Sequence, residues 1–254
     1  MNAEELRAVL HDIADRAVAF RETRADATHR PLCSYAEAQA AFNAAVPEHG
    51  TALQELIREL ATLTEPGLAN MVGPRFFGWV IGATEPAGMA ADWLTSAWAQ
   101  NAGNAHATPT VSACEEMTGR WLLDLLDLPR QSSVGFVTGA TIANFTCLAA
   151  ARGEVLRRVG WDAEADGLFG APLVHVVLGE EAHSTVFSGL RYLGLGAKRV
   201  VTVPVNEQGL MQPGEFAKAI AKLDGPVIAI AKAGHINSGG FDPFTEIAEA
   251  AHAK

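Results

Sequence analysis

An α/β fold with a largely parallel sheet, preceded by a helical arm, follows from three observations on the 254-residue sequence. From about residue 170 onward, short apolar β-branched runs alternate with stretches of helical period. The first 65 residues carry helical periodicity and no strand-like run. Between them, VGFVTGATIANF (residues 134–145) passes from an apolar run through a Gly-Ala-Thr turn into a further helical stripe.

In the arm, Leu6, Val9, Leu10, Ile13, Ala17 and Phe20 recur at steps of three and four and define one apolar stripe. Leu53, Leu56, Ile57, Leu60 and Leu63 define a second, which Pro66-Gly67 stops. His29–Tyr35 and Pro47–Gly50 read as loops. These helices have no strand to cover in their own region, so they are expected to pack on the rest of the chain or on a second subunit, as dimerising arms do. Further on, Leu173–Leu178, Arg199–Val203 and Pro226–Ala231 suit strands buried on both faces. Ser184–Leu193, Pro213–Leu223 and Pro243–Ala253 are the expected helices, with Asp242 as the cap of the last. The expected division is 1–105 for the arm and the segment after it, and 106–254 for the sheet domain. In such sheets ligands gather beyond the carboxyl ends of the strands, which singles out the loops Glu180–Ser184 and Lys232–Phe241.

Composition narrows the function classes. Hydrophobic residues make up 49% and charged residues 19%, enough apolar material for a sizeable core. The formal net charge of −10 comes without a basic block, which argues against nucleic acid as a partner. Cys33, Cys114 and Cys147 are odd in number and far apart, as expected in a reducing compartment. Glu4, Glu5 and Arg7 stand where a signal peptide needs an apolar run, so a cytoplasmic location is expected. Trp93–Cys114 and Gln131–Ala151 lack charge over about a membrane's thickness, but polar residues break both, and Pro109 also breaks the first. They are expected to be buried segments and not membrane spans.

The turn Thr138-Gly139-Ala140-Thr141 fails as a dinucleotide loop. Ala143 and Phe145 stand where later glycines belong, and no acidic residue follows at the distance a ribose contact requires. A simpler chemistry survives. Free N–H groups at the start of a helix, at the positive end of its dipole, form an anion site, and small residues let a phosphate approach. The competing reading is that Thr138 or Thr141 merely caps the helix.

His183 stands at the carboxyl end of an expected strand, where an imidazole can stack on a flat ring, move a proton, bind metal or simply cap the next helix. A metal site shared with His175 is not expected, and no HExxH-type spacing occurs. The polar loop Gly234–Gly240 is a second candidate, whereas Lys232, at a strand end, does not suit a Schiff-base lysine.

Taken together, these strings resemble the group II pyridoxal-phosphate-dependent decarboxylases, the family of aromatic-amino-acid and glutamate decarboxylases. The resemblance runs from about Pro74 to Lys254 through GPRFFG (73–78), Pro109, CEE (114–116), WLL (121–123), TGATIAN (138–144), EAHS (181–184) and GGFDP (239–243). It implies the large domain of the fold-type-I pyridoxal-phosphate enzymes and an arm that embraces a partner subunit, hence a homodimer. It implies that Gly139, Ala140 and Thr141 hold the cofactor phosphate, that His183 stacks on the pyridine ring and assists proton transfer, and that Asn237 approaches that ring. Ala140 departs mildly from the family's usual small pair, at little cost if the contact is through backbone N–H. Arg75, Phe76 and Phe77 match a segment on the substrate side.

The implied reaction is decarboxylation of an amino acid. Alternatives are another fold-type-I reaction, such as an aminotransferase or lyase, and a non-catalytic dimerising fragment. The resemblance also places a Schiff-base lysine and an Asp for the pyridine nitrogen beyond Lys254. The chain is therefore expected to be the N-terminal part of such an enzyme and inactive alone.

Overall fold

The computed structural model describes residues 2–254. It divides into two compact units, Met1–Gln100 and Asn101–Lys254.

The first unit is helical. Helix α1 spans Ala3–Glu22 and opens with a reciprocal cap: Asn2 Oδ1 accepts from the N–H groups of Glu4 and Glu5, while the Glu5 carboxylate accepts from the Asn2 N–H. Helix α2, Tyr35–Ala41, repeats the device with Ser34 and Glu37. The Ser34 N–H and hydroxyl hold the Glu37 carboxyl below its ordinary range. The periodicity passed over α2 because it is too short to show a stripe, although Ser34-x-x-Glu37 marks its start. Helix α3 covers Leu53–Thr64 and ends in a single 3-10 turn at Glu65–Gly67. Helix α4, Pro86–Ala97, was also unanticipated and starts on a proline in its first turn. The two expected stripes are real, but Leu6, Leu10, Leu53, Leu56 and Leu60 remain exposed.

The second unit carries the sheet. Helix α5 (Pro109–Leu125) and helix α6 (Ala140–Arg158) precede strand β1 (His175–Gly179), helix α7 (Ser184–Tyr192), strand β2 (Val200–Val203), helix α8 (Pro213–Ile220), strand β3 (Val227–Ile230) and helix α9 (Phe244–His252). The three strands run parallel in the order β2-β1-β3, with Val177 opposite both Val201 and Ala229. Strand alternation sorts the core into two layers. Val176, Leu178 and Ile228 pack with Leu148 and Leu156 of α6 and with Val186 and Leu190 of α7. Val177 and Val203 pack on the other side with Met211, Phe216, Ile220 and Ile247. Central strand β1 is thus buried on both faces, as its unbroken apolar run requires.

Two contacts fix α7 against α6. A Cβ on Gly189 would lie 3.2 Å from Leu148 Cδ1, so the glycine permits close approach. Arg152 Nη1 of α6 donates to the Leu193 carbonyl at 3.0 Å. At the far end of α6, Glu154 accepts from Arg157 and Arg158 one turn on. These bonds push its carboxyl from the usual 4.5 down to about 2. A depressed carboxylate stabilises the fold above its unfolded value and loses that contribution as pH falls through its folded value. Wild type should therefore exceed Glu154→Gln in stability above about pH 4.5 and converge with it toward pH 2; acid titration of both by circular dichroism measures this. The three groups are solvent-exposed, so the gap should be small.

Two expectations require correction. Trp93–Cys114 and Gln131–Ala151 are mostly exposed in this chain: Trp98 is 63% exposed and Phe136 48%. Lack of charge lowers the cost of burial but does not supply a surface to cover the segment. Asp242 does not cap α9: Pro243 occupies the cap position and no side chain caps that helix. Asp242 is instead 4% exposed and binds backbone elsewhere. Among the described residues no helix is long and apolar enough to cross a membrane.

Candidate active site

Helix α6 starts without a side-chain cap. Its cap residue is Gly139, with φ 154° and ψ 171°, a conformation essentially confined to glycine. Nothing lies within 4 Å of the Cβ this residue lacks. The first helical bond runs from the Ala143 N–H to the Gly139 carbonyl. The N–H groups of Ala140, Thr141 and Ile142 therefore have no partner among the described residues. Neither Thr138 nor Thr141 caps the helix, so the structure offers what an anion needs: uncapped donors at the positive end of a 19-residue helix.

His183 stands at the mouth of β1, as the cap residue of α7. Its Nδ1 accepts from the Thr185 N–H at 3.3 Å and lies 2.9 Å from Thr185 Oγ1. Thr185 Oγ1 in turn accepts from Asn144 Nδ2 of α6 at 3.1 Å. The donor roles follow along this chain. Asn144 donates to Thr185, Thr185 donates its own proton to His183 Nδ1, and the ring proton of this exposed residue is left on Nε2. The imidazole thus caps a helix and is tied to the second turn of α6 at once. The sequence assigns no role to Thr185 or Asn144, because a hydroxyl and an amide 41 residues apart leave no local signal.

Asn237 is exposed, in the loop after β3, and its N–H donates to His235 Nδ1 at 3.2 Å. In the first unit, Arg75 Nη2 donates to the Ala25 carbonyl at 2.9 Å, Phe76 is half-buried and Phe77 is 90% exposed. Arg75, Phe76 and Phe77 are placed together as a surface segment. His175 stands at the opposite end of β1 from His183, with Nε2 2.9 Å from the Asp224 carbonyl. Among the described residues no three His, Cys, Asp or Glu side chains gather as a metal donor set.

Asp242 is the residue whose role sequence reasoning misjudged. Its Oδ1 accepts from the Met211 N–H and its Oδ2 from the Lys232 N–H, each at 2.7 Å. It thereby joins the segment after β2 to the segment after β3 at the carboxyl ends of the strands. Lys232 Nζ donates to the Gly209 carbonyl at 2.8 Å.

A family model described as the pyridoxal-dependent decarboxylase conserved domain matches residues 36–254. The chain belongs to this family. Tryptophan decarboxylase 1 of Oryza sativa subsp. japonica is 25% identical over 269 residues, covering 99% of this chain and 51% of that protein. Among solved structures, mouse CSAD superposes with a TM-score of 0.86 at 22% identity, covering 100% of this chain and 53% of that one. Oryza sativa TDC with PLP and tryptamine gives 0.86 at 24% identity, covering 100% and 56%. The chain thus has the fold of the PLP decarboxylases and spans about half the length of these relatives. The fold expected from sequence, a parallel sheet flanked by helices and preceded by a helical arm, is the one observed.

Proposed function

We propose that this chain is the part of a pyridoxal 5'-phosphate-dependent amino-acid decarboxylase that holds the cofactor's phosphate and covers its ring. The observation that carries this reading is the Asn144–Thr185–His183 chain, which ties an imidazole to the second turn of α6, the helix whose start is uncapped, in a member of this family.

The uncapped turn fits the cofactor. The N–H groups of Ala140, Thr141 and Ile142 would bind its phosphate, aided by the Thr141 hydroxyl. His183, held at Nδ1, would lie against the ring and exchange a proton at Nε2. Asn237 would approach the ring from the loop after β3. When bound, the cofactor supplies an electron sink for the pair left as carbon dioxide departs. The protein's share is to anchor, orient and shield, which places the bond to be broken in its reactive geometry. The substrate is an amino acid, and Arg75, Phe76 and Phe77 are the residues proposed on its side. The exposed apolar stripes of α1 and α3 support a homodimer in which the arm packs on a second subunit. Three unpaired cysteines support a reducing, cytoplasmic setting.

The test is product analysis of the full-length protein with the cofactor and a panel of amino acids. Release of carbon dioxide and the corresponding amine is expected. Transamination to a keto acid without carbon dioxide release would instead support the aminotransferase reading.

A further inference from the structure

Three loops leave the carboxyl ends of β1, β2 and β3 and meet at one point. Glu181 belongs to the first, Gly209 to the second and His235 to the third. His235 Nε2 lies 2.8 Å from Glu181 Oε2. The N–H groups of Asn237 and Ser238 both donate to His235 Nδ1 at 3.2 Å. A nitrogen that accepts twice carries no proton, so the proton sits on Nε2 and is donated to Glu181. The ring is therefore fixed on both sides, and the His235 side chain is only 12% exposed.

Gly209 shows how closely the second loop approaches the pair. Its φ is +74°, and an added Cβ would lie 2.6 Å from Glu181 Oε2, 2.8 Å from His235 Cδ2 and 2.9 Å from His235 Nε2. No side chain fits there without separating the pair. The cluster is tied further by Lys232 Nζ on the Gly209 carbonyl and by Ser238 Oγ on the Gln208 carbonyl. On the β1 side, Glu180 Oε1 accepts from the Val205 N–H. Two residues beyond Glu181 stands His183.

We propose that Glu181 and His235 are positioning residues: their hydrogen bond holds the loop that carries His183 and so sets the place of its imidazole. Gly209 is the small residue that lets the bond form. The role is structural in means but specific in effect, since it acts on one ring at the site. Its functional meaning rests on the cofactor reading above, whereas its geometric content does not.

The experiment uses protein labelled with 15N at histidine, with ring nitrogens observed by long-range proton–nitrogen correlation, followed by titration with pyridoxal 5'-phosphate. In wild type, His235 should show a bare Nδ1 and a protonated Nε2. Glu181→Ala, His235→Ala and Gly209→Ala should each shift the His183 ring resonances and weaken cofactor binding by about tenfold, the scale typical of groups that orient a binding residue. Glu181→Gln keeps an acceptor for Nε2–H and should leave His183 near its wild-type position. Ile247→Val, a core change on the opposite side of the sheet from α6 and α7, controls for stability and should leave the His183 signals in place. The proposal is overturned if His183 resonances are the same in wild type, Glu181→Ala and His235→Ala, or if Ile247→Val moves them equally. If wild type binds no cofactor while the His183 shifts appear as expected, the positioning role stands and the cofactor reading falls. If wild type binds and neither resonances nor affinity respond, the positioning role falls alone.

Discussion

Asp242→Ala is expected to destabilise the sheet domain by roughly 2–5 kcal/mol, since each buried donor left without a partner costs about 1–3 kcal/mol. The carboxylate accepts from the N–H groups of Met211 and Lys232, and the side chain is almost wholly out of solvent. Alanine leaves both donors unpaired and an unfilled space between two loops. Asp242→Asn should cost less than alanine but more than nothing, because its amide offers one acceptor and turns a donor toward the other N–H. Urea unfolding of both variants measures the order. Equal stability of wild type and Asp242→Ala would show that the bridge contributes nothing net.

Gly139→Ala should act mainly on ligand binding. A φ of 154° with ψ 171° costs a non-glycine residue about 1–3 kcal/mol, which the turn avoids by refolding. The N–H groups at the start of α6 would then lose their common aim. Affinity for pyridoxal 5'-phosphate, followed by the cofactor's absorbance, should fall by roughly tenfold to a hundredfold, the free-energy equivalent of that strain. There is space for the methyl group itself, so the loss would report backbone conformation and not a clash. Unchanged affinity would mean that the turn does not grip the ligand.

How far the sequence could be read varied with the range of the signal. The strands were legible because β-branched apolar runs buried on both faces carry their pattern locally, and their observed ends differ from expectation by a residue or two. The helix start at Ala140 was legible from the Gly-Ala-Thr turn for the same reason. What escaped was long-range. Asp242 followed by Pro243 satisfies every local rule for a helix cap, yet the carboxylate is claimed by N–H groups from two other segments, 10 and 31 residues away. The Asn144–Thr185 bond and the Glu181–His235 bond join residues 41 and 54 apart; the packing of α6 on α7 brings the first pair together, and the parallel pairing of β1 with β3 the second. The two charge-free segments failed for a different reason: polarity tells what burial would cost, and the fold decides whether there is anything to be buried against.

The central claim is that the start of α6 binds the cofactor's phosphate while His183 lies against its ring. Its most direct measurement is a proton–nitrogen NMR titration of the chain with pyridoxal 5'-phosphate, alongside inorganic phosphate. The N–H signals of Ala140, Thr141 and Ile142 should shift with both ligands, and the His183 ring protons should move with pyridoxal 5'-phosphate alone through the current of the adjacent ring. Shifts confined to other loops, with those three amides and His183 unmoved at saturation, would contradict it.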